Sequence, residues 1–431
     1  MRITLVSVLS FFLCHLIYLS IYISVTAGKC LEDQQLLLFQ LKSNLTFNPE
    51  NSNKLRLWNQ SVECCDWSGV SCDDEGRVIG LDLGGEFISG GFDDSRPLQN
   101  LSSHLIYLDL HQNKLQGPIP TFSGNTLYLD FSSNNFSSII PRDIGNYMSF
   151  PFFLSLSNNT LSGSIPDSLC NALYLEVLDL SNNNISGTIP SCLMTVSENL
   201  GVLNLKNNNI SSPIPNTVKV SCGGFPCFLK EIPTLRVLVL RNNKFQGSPK
   251  CLKVNMTWEM LQIVDIAFNN FSGELPREYF TTWKRNIKGN KEEAGLKFIK
   301  KQIISFGGDL YYADNITVIS KELHVLNLSN NALSGKIPSS IGNMRQLESL
   351  DLSQNSLGGE IPVQLASLSF LSYLNLSFNH LMGKIPTSTQ LQSFRVLVNL
   401  KIEIILDKSE VVYNTFRLNQ ISGFNQNCSI G

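Results

Sequence analysis

Leucines alternate with polar residues in short bursts along most of this chain, and the bursts return at a nearly constant interval. The text "LDLSNNNISGTIP" begins at Leu178, "LNLSNNALSGKIP" at Leu326 and "LDLSQNSLGGEIP" at Leu350. Aligned on the core L-x-L-x-x-N-x-L, the first leucine falls at Leu108, Leu129, Leu154, Leu178, Leu203, Leu238, Leu326, Leu350 and Leu374. Val264 replaces it once, and a degenerate first copy sits at Leu81. From Leu108 onward the spacings are 21, 25, 24, 25, 35, 26, 62, 24 and 24 residues. A natural period of about 24 residues marks a solenoid.

The letters of one unit follow from its physics. L-x-L alternation predicts a short strand with both leucines on one face, which one strand cannot bury alone. Stacked units bury that face and line their strands into a parallel sheet. An asparagine follows at a fixed offset, at Asn113, Asn134, Asn159, Asn183, Asn208, Asn243, Asn269, Asn331, Asn355 and Asn379. Its amide both donates and accepts, so stacked copies are expected to form a ladder joining neighbouring turns. The Gly and Ile-Pro that follow bend the chain and fix its return path. The fold class expected is an α/β repeat solenoid: a right-handed superhelix with a parallel β-sheet on its concave face and irregular or 3-10 segments on its convex side.

Composition narrows the context. There are 33 basic and 35 acidic residues for a net charge of -2, which argues against nucleic-acid or anionic-membrane binding. The N-terminus has a basic Arg2 and an apolar run from about Leu5 to Val25, and small residues fit cleavage after Ala27. A secretory signal is expected, although about twenty apolar residues also suffice to span a bilayer uncleaved. Eleven cysteines in an exported chain favour disulfides. Cys170 and Cys192 lie at similar depth in adjacent units and are expected to pair. Cys222 and Cys227 flank the 35-residue interval and are candidates for a small loop, which leaves Cys251 without an obvious partner. Glycosylation triplets stand at Asn44, Asn59, Asn100, Asn135, Asn158, Asn184, Asn209, Asn255, Asn270, Asn315, Asn327, Asn375 and Asn427.

The repeat, with its L-x-G-x-I-P ending, resembles the leucine-rich repeat of plant extracellular receptors over about Cys30 to Pro386. The opening "CLEDQQLLLFQLKSNL", Trp58 and "CCDWSGVSC" are similar to the plant N-terminal cap, and that resemblance implies the pairs Cys30 with Cys64 and Cys65 with Cys72. The 62-residue interval resembles the island of receptor-like proteins of the disease-resistance type, with "WK" near its start and "YY" and "ITVISK" near its end. Its basic run, Lys284, Arg285, Lys288, Lys291, Lys297, Lys300 and Lys301, reads either as a solvated loop or as a contact surface. The 35-residue interval holds two return segments, "IPNTV" and "FPCFL", without a strand core between them, so a bulge or slipped coil is expected. The organisation expected is 1–27 signal, 28–77 cap, 78–279 repeats, 280–323 island, 324–386 repeats and 387–431 a tail outside the family pattern. In that tail the apolar part Val396 to Leu406 carries Lys401 and Glu403 and is too short to span a membrane.

Catalytic signatures are missing from the text: there is no G-x-S-x-G, H-E-x-x-H, phosphate loop or kinase motif. No enzyme, cofactor or metal site is expected. The acidic clusters Asp73, Asp74, Glu75 and Asp93, Asp94 read as solvated loops. A solenoid's function lies on its concave sheet, so the variable strand positions are the candidate ligand contacts. Tyr107, Tyr128 and Phe153 precede the core as an aromatic column, and His111, Lys206 and Arg241 follow it. The column reads either as a recognition surface or as rings partly buried under neighbouring coils. The resemblance implies a receptor-like protein that recognises a microbial or endogenous peptide or protein and signals through leucine-rich-repeat receptor-like kinases as co-receptors, at the outer face of the plasma membrane. Members of that group are anchored by a membrane helix after a C-terminal cap, and neither pattern follows "GKIPTSTQLQSF" here. The other readings are a truncated soluble decoy, a gene fragment, or a secreted inhibitor of microbial wall-degrading enzymes similar to polygalacturonase-inhibiting proteins. Those inhibitors lack an island.

Overall fold

A computed structural model describes residues 29–386 apart from 92–95, 121–125, 147–150, 194–198, 213–223, 252–259, 278–279 and 281–323. The expected signal, nearly all of the island and the tail lie outside the described residues, as do Cys222, Asp93, Asp94, Asn255, Asn315 and Asn427.

Each L-x-L burst forms a strand, and the strands pair in sequence order into one sheet of twelve among the described residues. They are Val70–Cys72, Val78–Asp82, Tyr107–Asp109, Tyr128–Asp130, Phe153–Ser155, Val177–Asp179, Val202–Asn204, Val237–Val239, Ile263–Asp265, His324–Asn327, Leu347–Asp351 and Tyr373–Asn375. The first pair is antiparallel and the others parallel. Leucines of successive coils stack inward: Leu350, Leu352 and Leu357 of a single coil are all fully buried. Burying one such side chain contributes roughly 1.5–3 kcal/mol.

The return path explains the rest of the motif. In "SGKIP" and "GGEIP" the glycines Gly335 and Gly359 have φ of 77°, a left-handed conformation that favours glycine. Ile337 and Ile361 insert into the core. Pro338 and Pro362 then cap the 3-10 helices Ser339–Asn343 and Val363–Ser367, holding φ at -67° and -62°. These helices line the side opposite the long sheet.

The asparagine ladder joins coils through the backbone. In every repeat from Asn113 to Asn379, Oδ1 accepts an N–H of the preceding coil while Nδ2 donates to a carbonyl of that coil and to carbonyls of its own. For Asn243 the partners are Ile210 N–H at 3.0 Å, Leu205 O at 2.8 Å and Leu240 O at 3.1 Å. One side chain thereby satisfies groups that the turn would otherwise bury unpaired.

The first coil breaks the rule informatively. Glu86 occupies the ladder position after Leu81, is 1% exposed, and faces the cap. Its carboxylate accepts from Ser52 Oγ and from the N–H groups of Asn53, Lys54 and Leu55. That end of the cap presents only donors, so an acceptor-only side chain fits where an amide would not. The cap helix Glu32–Asn44 buries Leu38 and Leu41, and Gln34 accepts the Val78 N–H. Trp58 and Trp67 stack at 5.1 Å beneath it.

Disulfides join Cys30 to Cys64, Cys65 to Cys72 and Cys170 to Cys192. A fourth joins Cys227 to Cys251, correcting the expectation of a Cys222–Cys227 loop. Cys227 opens the 3-10 helix Cys227–Glu231, and Cys251 occupies the next return segment, so this bridge also links adjacent turns. Of the bulge or slipped coil expected before Leu238, the slip is corrected, whereas residues 213–223, where a bulge would fall, lie outside the described residues. Val202 pairs with both Val177 and Val237, and the register runs through unshifted. The sheet is likewise continuous across the 62-residue interval, where Ile263 pairs with Val325. The strand ladder is therefore continuous across both long intervals. No helix among the described residues is long and apolar enough to cross a membrane.

Candidate functional site on the concave face

The middle residue of each L-x-L burst points to the concave face, and in most coils it is Asp or Asn. Its Oδ1 accepts the N–H two residues on, as in Asp109 to His111, Asp130 to Ser132, Asp265 to Ala267 and Asp351 to Ser353. This side-chain turn ends the strand and needs an oxygen at that place. A column of carboxylates on the face is the by-product of a structural requirement, and the sequence reading passed over it.

At the N-terminal end this column gathers charge. Asp82, Asp109 and Asp130 lie opposite one another on consecutive strands. Lys54 from the cap pairs with Asp82 at 2.6 Å. His111 Nδ1 lies 2.6 Å from Asp109 Oδ1. The hydrogen bond to Asp109 raises the His111 pKa, with burial opposing it. Burial and then the charge of Asp109 push the Asp130 carboxyl up to about 6.

The aromatic column is not an exposed recognition surface. Tyr107, Tyr128 and Phe153 are 8%, 6% and 4% exposed, which corrects their reading as ligand-contacting rings. Their rings stack at 4.5 and 4.4 Å. They continue as a buried ridge through Val177, Val202, Val237 and Ile263. Only the hydroxyls reach toward the polar column, Tyr107 to Asp109 at 3.0 Å and Tyr128 to Asp130 at 3.3 Å. Both phenols are driven above their ordinary pKa, first by burial and then by the neighbouring carboxylates.

Lys206 and Arg241 stand at equivalent positions two residues past a pair of neighbouring strands, both half-buried. Arg241 bonds Asp265 at 3.4 Å and lies 4.4 Å over the ring of Phe268. Burial raises the Asp265 pKa, opposed by Arg241 and Lys206. Phe268 was missed by the sequence reading. It occupies a position with φ near 53° that Asn158, Asn182, Asn207, Asn242 and Asn330 fill in other coils, and that Phe378 fills in the last described coil. A bulky side chain is an outlier there. The signal was available as "AFNN" in place of "SNNN" and "KNNN". Four strand spacings separate His111 from Lys206, roughly 19 Å, so the face carries two distinct polar centres.

The glycosylation triplets at Asn44, Asn59, Asn100, Asn135, Asn158, Asn184, Asn209 and Asn270 are exposed. Asn327 and Asn375 are half-buried at the carboxylate position, and their Oδ1 atoms accept the N–H groups of Ser329 and Ser377.

Comparison with known proteins agrees with this architecture. Residues 31–73 match the leucine rich repeat N-terminal domain, and residues 104–126, 125–147, 152–172, 174–195, 199–220 and 321–381 match leucine rich repeats. The chain is 33% identical over 281 residues to Receptor-like protein 35 of Arabidopsis thaliana, covering 61% of this chain and 27% of that protein. It is 34% identical over 258 residues to Receptor-like protein 32 of the same plant, covering 56% and 24%. The chain thus spans about a quarter of the length of these relatives. The PEPR1-AtPEP1 crystal structure is similar at a TM-score of 0.61 and 27% identity, covering 86% of this chain and 48% of that one. A plant ice-binding protein shares the fold at a TM-score of 0.53 and 22% identity, covering 85% and 92%. With its paired-cysteine cap and its ladder-forming repeats, the chain belongs to the leucine-rich-repeat proteins, and it is similar to plant receptor-like proteins.

Proposed function

We propose that this chain is the ligand-recognising ectodomain region of a receptor-like protein, which binds a peptide or protein on its concave face and acts through receptor-kinase partners in plant defence or development. One observation carries the reading. In three consecutive coils the repeat's usual letters are replaced, by Lys206, Arg241 and Phe268, and the replacements converge around Asp265 on the open face. Most other coils have Ser at the first two positions, and Asn is the commonest residue at the third. Arginine and aromatic side chains on an exposed face are the residues that most often anchor protein contacts. His111 adds a second polar centre, and Tyr107, Tyr128 and Phe153 support the face from beneath.

The test is association. The secreted chain is immobilised, exposed to peptide fractions from microbial and plant extracellular fluid, and probed with leucine-rich-repeat receptor-kinase ectodomains. The reading expects a saturable ligand and ligand-dependent kinase capture. Capture that is equal with and without ligand, or absent throughout, counts against it.

A further inference from the structure

We propose that Asp109, His111 and Asp130 form a site for a divalent metal ion of the zinc class on the concave face. The ligand atoms of the three residues all lie within 4.8 Å of one another. One imidazole nitrogen with two carboxylate oxygens is a donor set suited to zinc. Ligands bound at about 2 Å stand roughly 3.3 Å apart around a tetrahedral ion, so side-chain rotation of about an ångström closes the site.

Three further observations converge. The carboxylates of Asp82, Asp109 and Asp130 stand directly opposite one another on paired strands, where like charges destabilise a sheet; Lys54 offsets Asp82, which leaves Asp109 and Asp130 beside His111. Each proposed carboxylate ligand is already oriented from behind: Asp109 by the Tyr107 hydroxyl and the His111 N–H, Asp130 by the Tyr128 hydroxyl and the Ser132 N–H. Such outer partners tune metal ligands. Finally, the imidazole lies in a notch that only glycine provides. A Cβ on Gly84, the equivalent residue of the preceding coil, would fall 2.4 Å from His111 Nδ1 and Cε1. In later coils this column holds Ser132, Ser157 and Ser181. Histidine and its glycine cradle occur together, over the carboxylates.

On metal entry the proton shared between His111 Nδ1 and Asp109 leaves to solvent, and the nitrogen lone pair takes the ion. Three protein ligands leave a fourth position for water or for a donor from a bound partner. The site is independent of the receptor reading, because it is tested without any peptide.

The full secreted chain, made without a polyhistidine tag and stripped by chelator, is titrated with Zn2+ by calorimetry, with metal content and thermal stability measured in parallel. The account predicts one ion per chain and a melting temperature raised by zinc. His111→Gln and Asp130→Asn each lower affinity tenfold or more, Tyr128→Phe lowers it about tenfold, and His380→Gln does not change it. His111 is half-exposed, so its variant is expected to stay folded. Unsaturable uptake, or uptake that His111→Gln leaves unchanged, overturns the proposal. So does finding that the same residues hold a lysine-bearing peptide and no zinc.

Discussion

Two asparagines that are neighbours in sequence do different work. Asn243 is buried and closes four backbone groups of two coils. Asn242, one residue earlier, is exposed and donates along an outer ladder to Asn207, which in turn donates to Asn182. Asn243→Ala is therefore expected to destabilise the protein by about 2–3 kcal/mol in urea unfolding, through backbone groups left unpaired. Asn242→Ala should cost under about 1 kcal/mol. Equal effects would contradict the assignment of the inner ladder. The inner ladder was legible because the same letter returned at one offset in ten coils. The outer ladder was not, because Gln, Ser and Phe also occupy its positions.

Phe268 makes the complementary case. Its ring sits where asparagine is comfortable, and a bulky residue at positive φ costs of order 1 kcal/mol or more. Phe268→Asn should raise stability by about 1 kcal/mol and extend the Asn182, Asn207, Asn242 ladder toward Asn330. A fall in stability would show that packing under Arg241, not recognition, retains the ring.

Among elements, the cap shows how a solenoid ends. Its helix covers the first coil, but the chemical join is Glu86, a repeat position adapted to a neighbour that offers only donors. Glu86→Gln replaces one acceptor oxygen with a donor facing other donors. A loss of about 2 kcal/mol is expected, with faster amide exchange concentrated at Asn53, Lys54 and Leu55. Exchange that stayed slow at these three amides would refute that join. The cap's cysteine pairs followed from resemblance, whereas Glu86 was missed because the degenerate first coil at Leu81 has no asparagine at the ladder offset to mark its join. The Cys227–Cys251 bridge escaped for another reason. Sequence proximity favoured Cys222, but partners in a solenoid are set by turns about 24 residues apart, and these two cysteines are separated by 24.

Over the whole molecule, the strand ladder ignores the chain's two long intervals. Ile263 pairs in register with Val325 just as Val202 pairs with Val177, so the ladder closes without residues 281–323. Replacing 281–323 by a short Gly-Ser linker should leave the melting temperature within a few degrees of the parent. If ligand or kinase binding then disappears, the basic run is a contact surface; if the protein unfolds, the island is part of the core. Period, strand positions and turn letters were legible at this scale because each is repeated. The concave face was legible only in part. Its outward positions could be named, but burial of Tyr107, Tyr128 and Phe153 depends on lateral contact between coils, which no single unit encodes.

The central claim is that recognition lies where coils depart from the repeat. Restoring the repeat's own letters tests it most directly. Lys206→Ser, Arg241→Ser and Phe268→Asn are combined in one chain, and Val363→Glu, on the opposite 3-10 side, serves as the control. Affinity for a ligand selected by the wild-type chain is measured for both. The account predicts a folded triple variant with affinity reduced tenfold or more, which is about 1.4 kcal/mol, and an unchanged control. Full binding by the triple variant together with loss in Val363→Glu would contradict it.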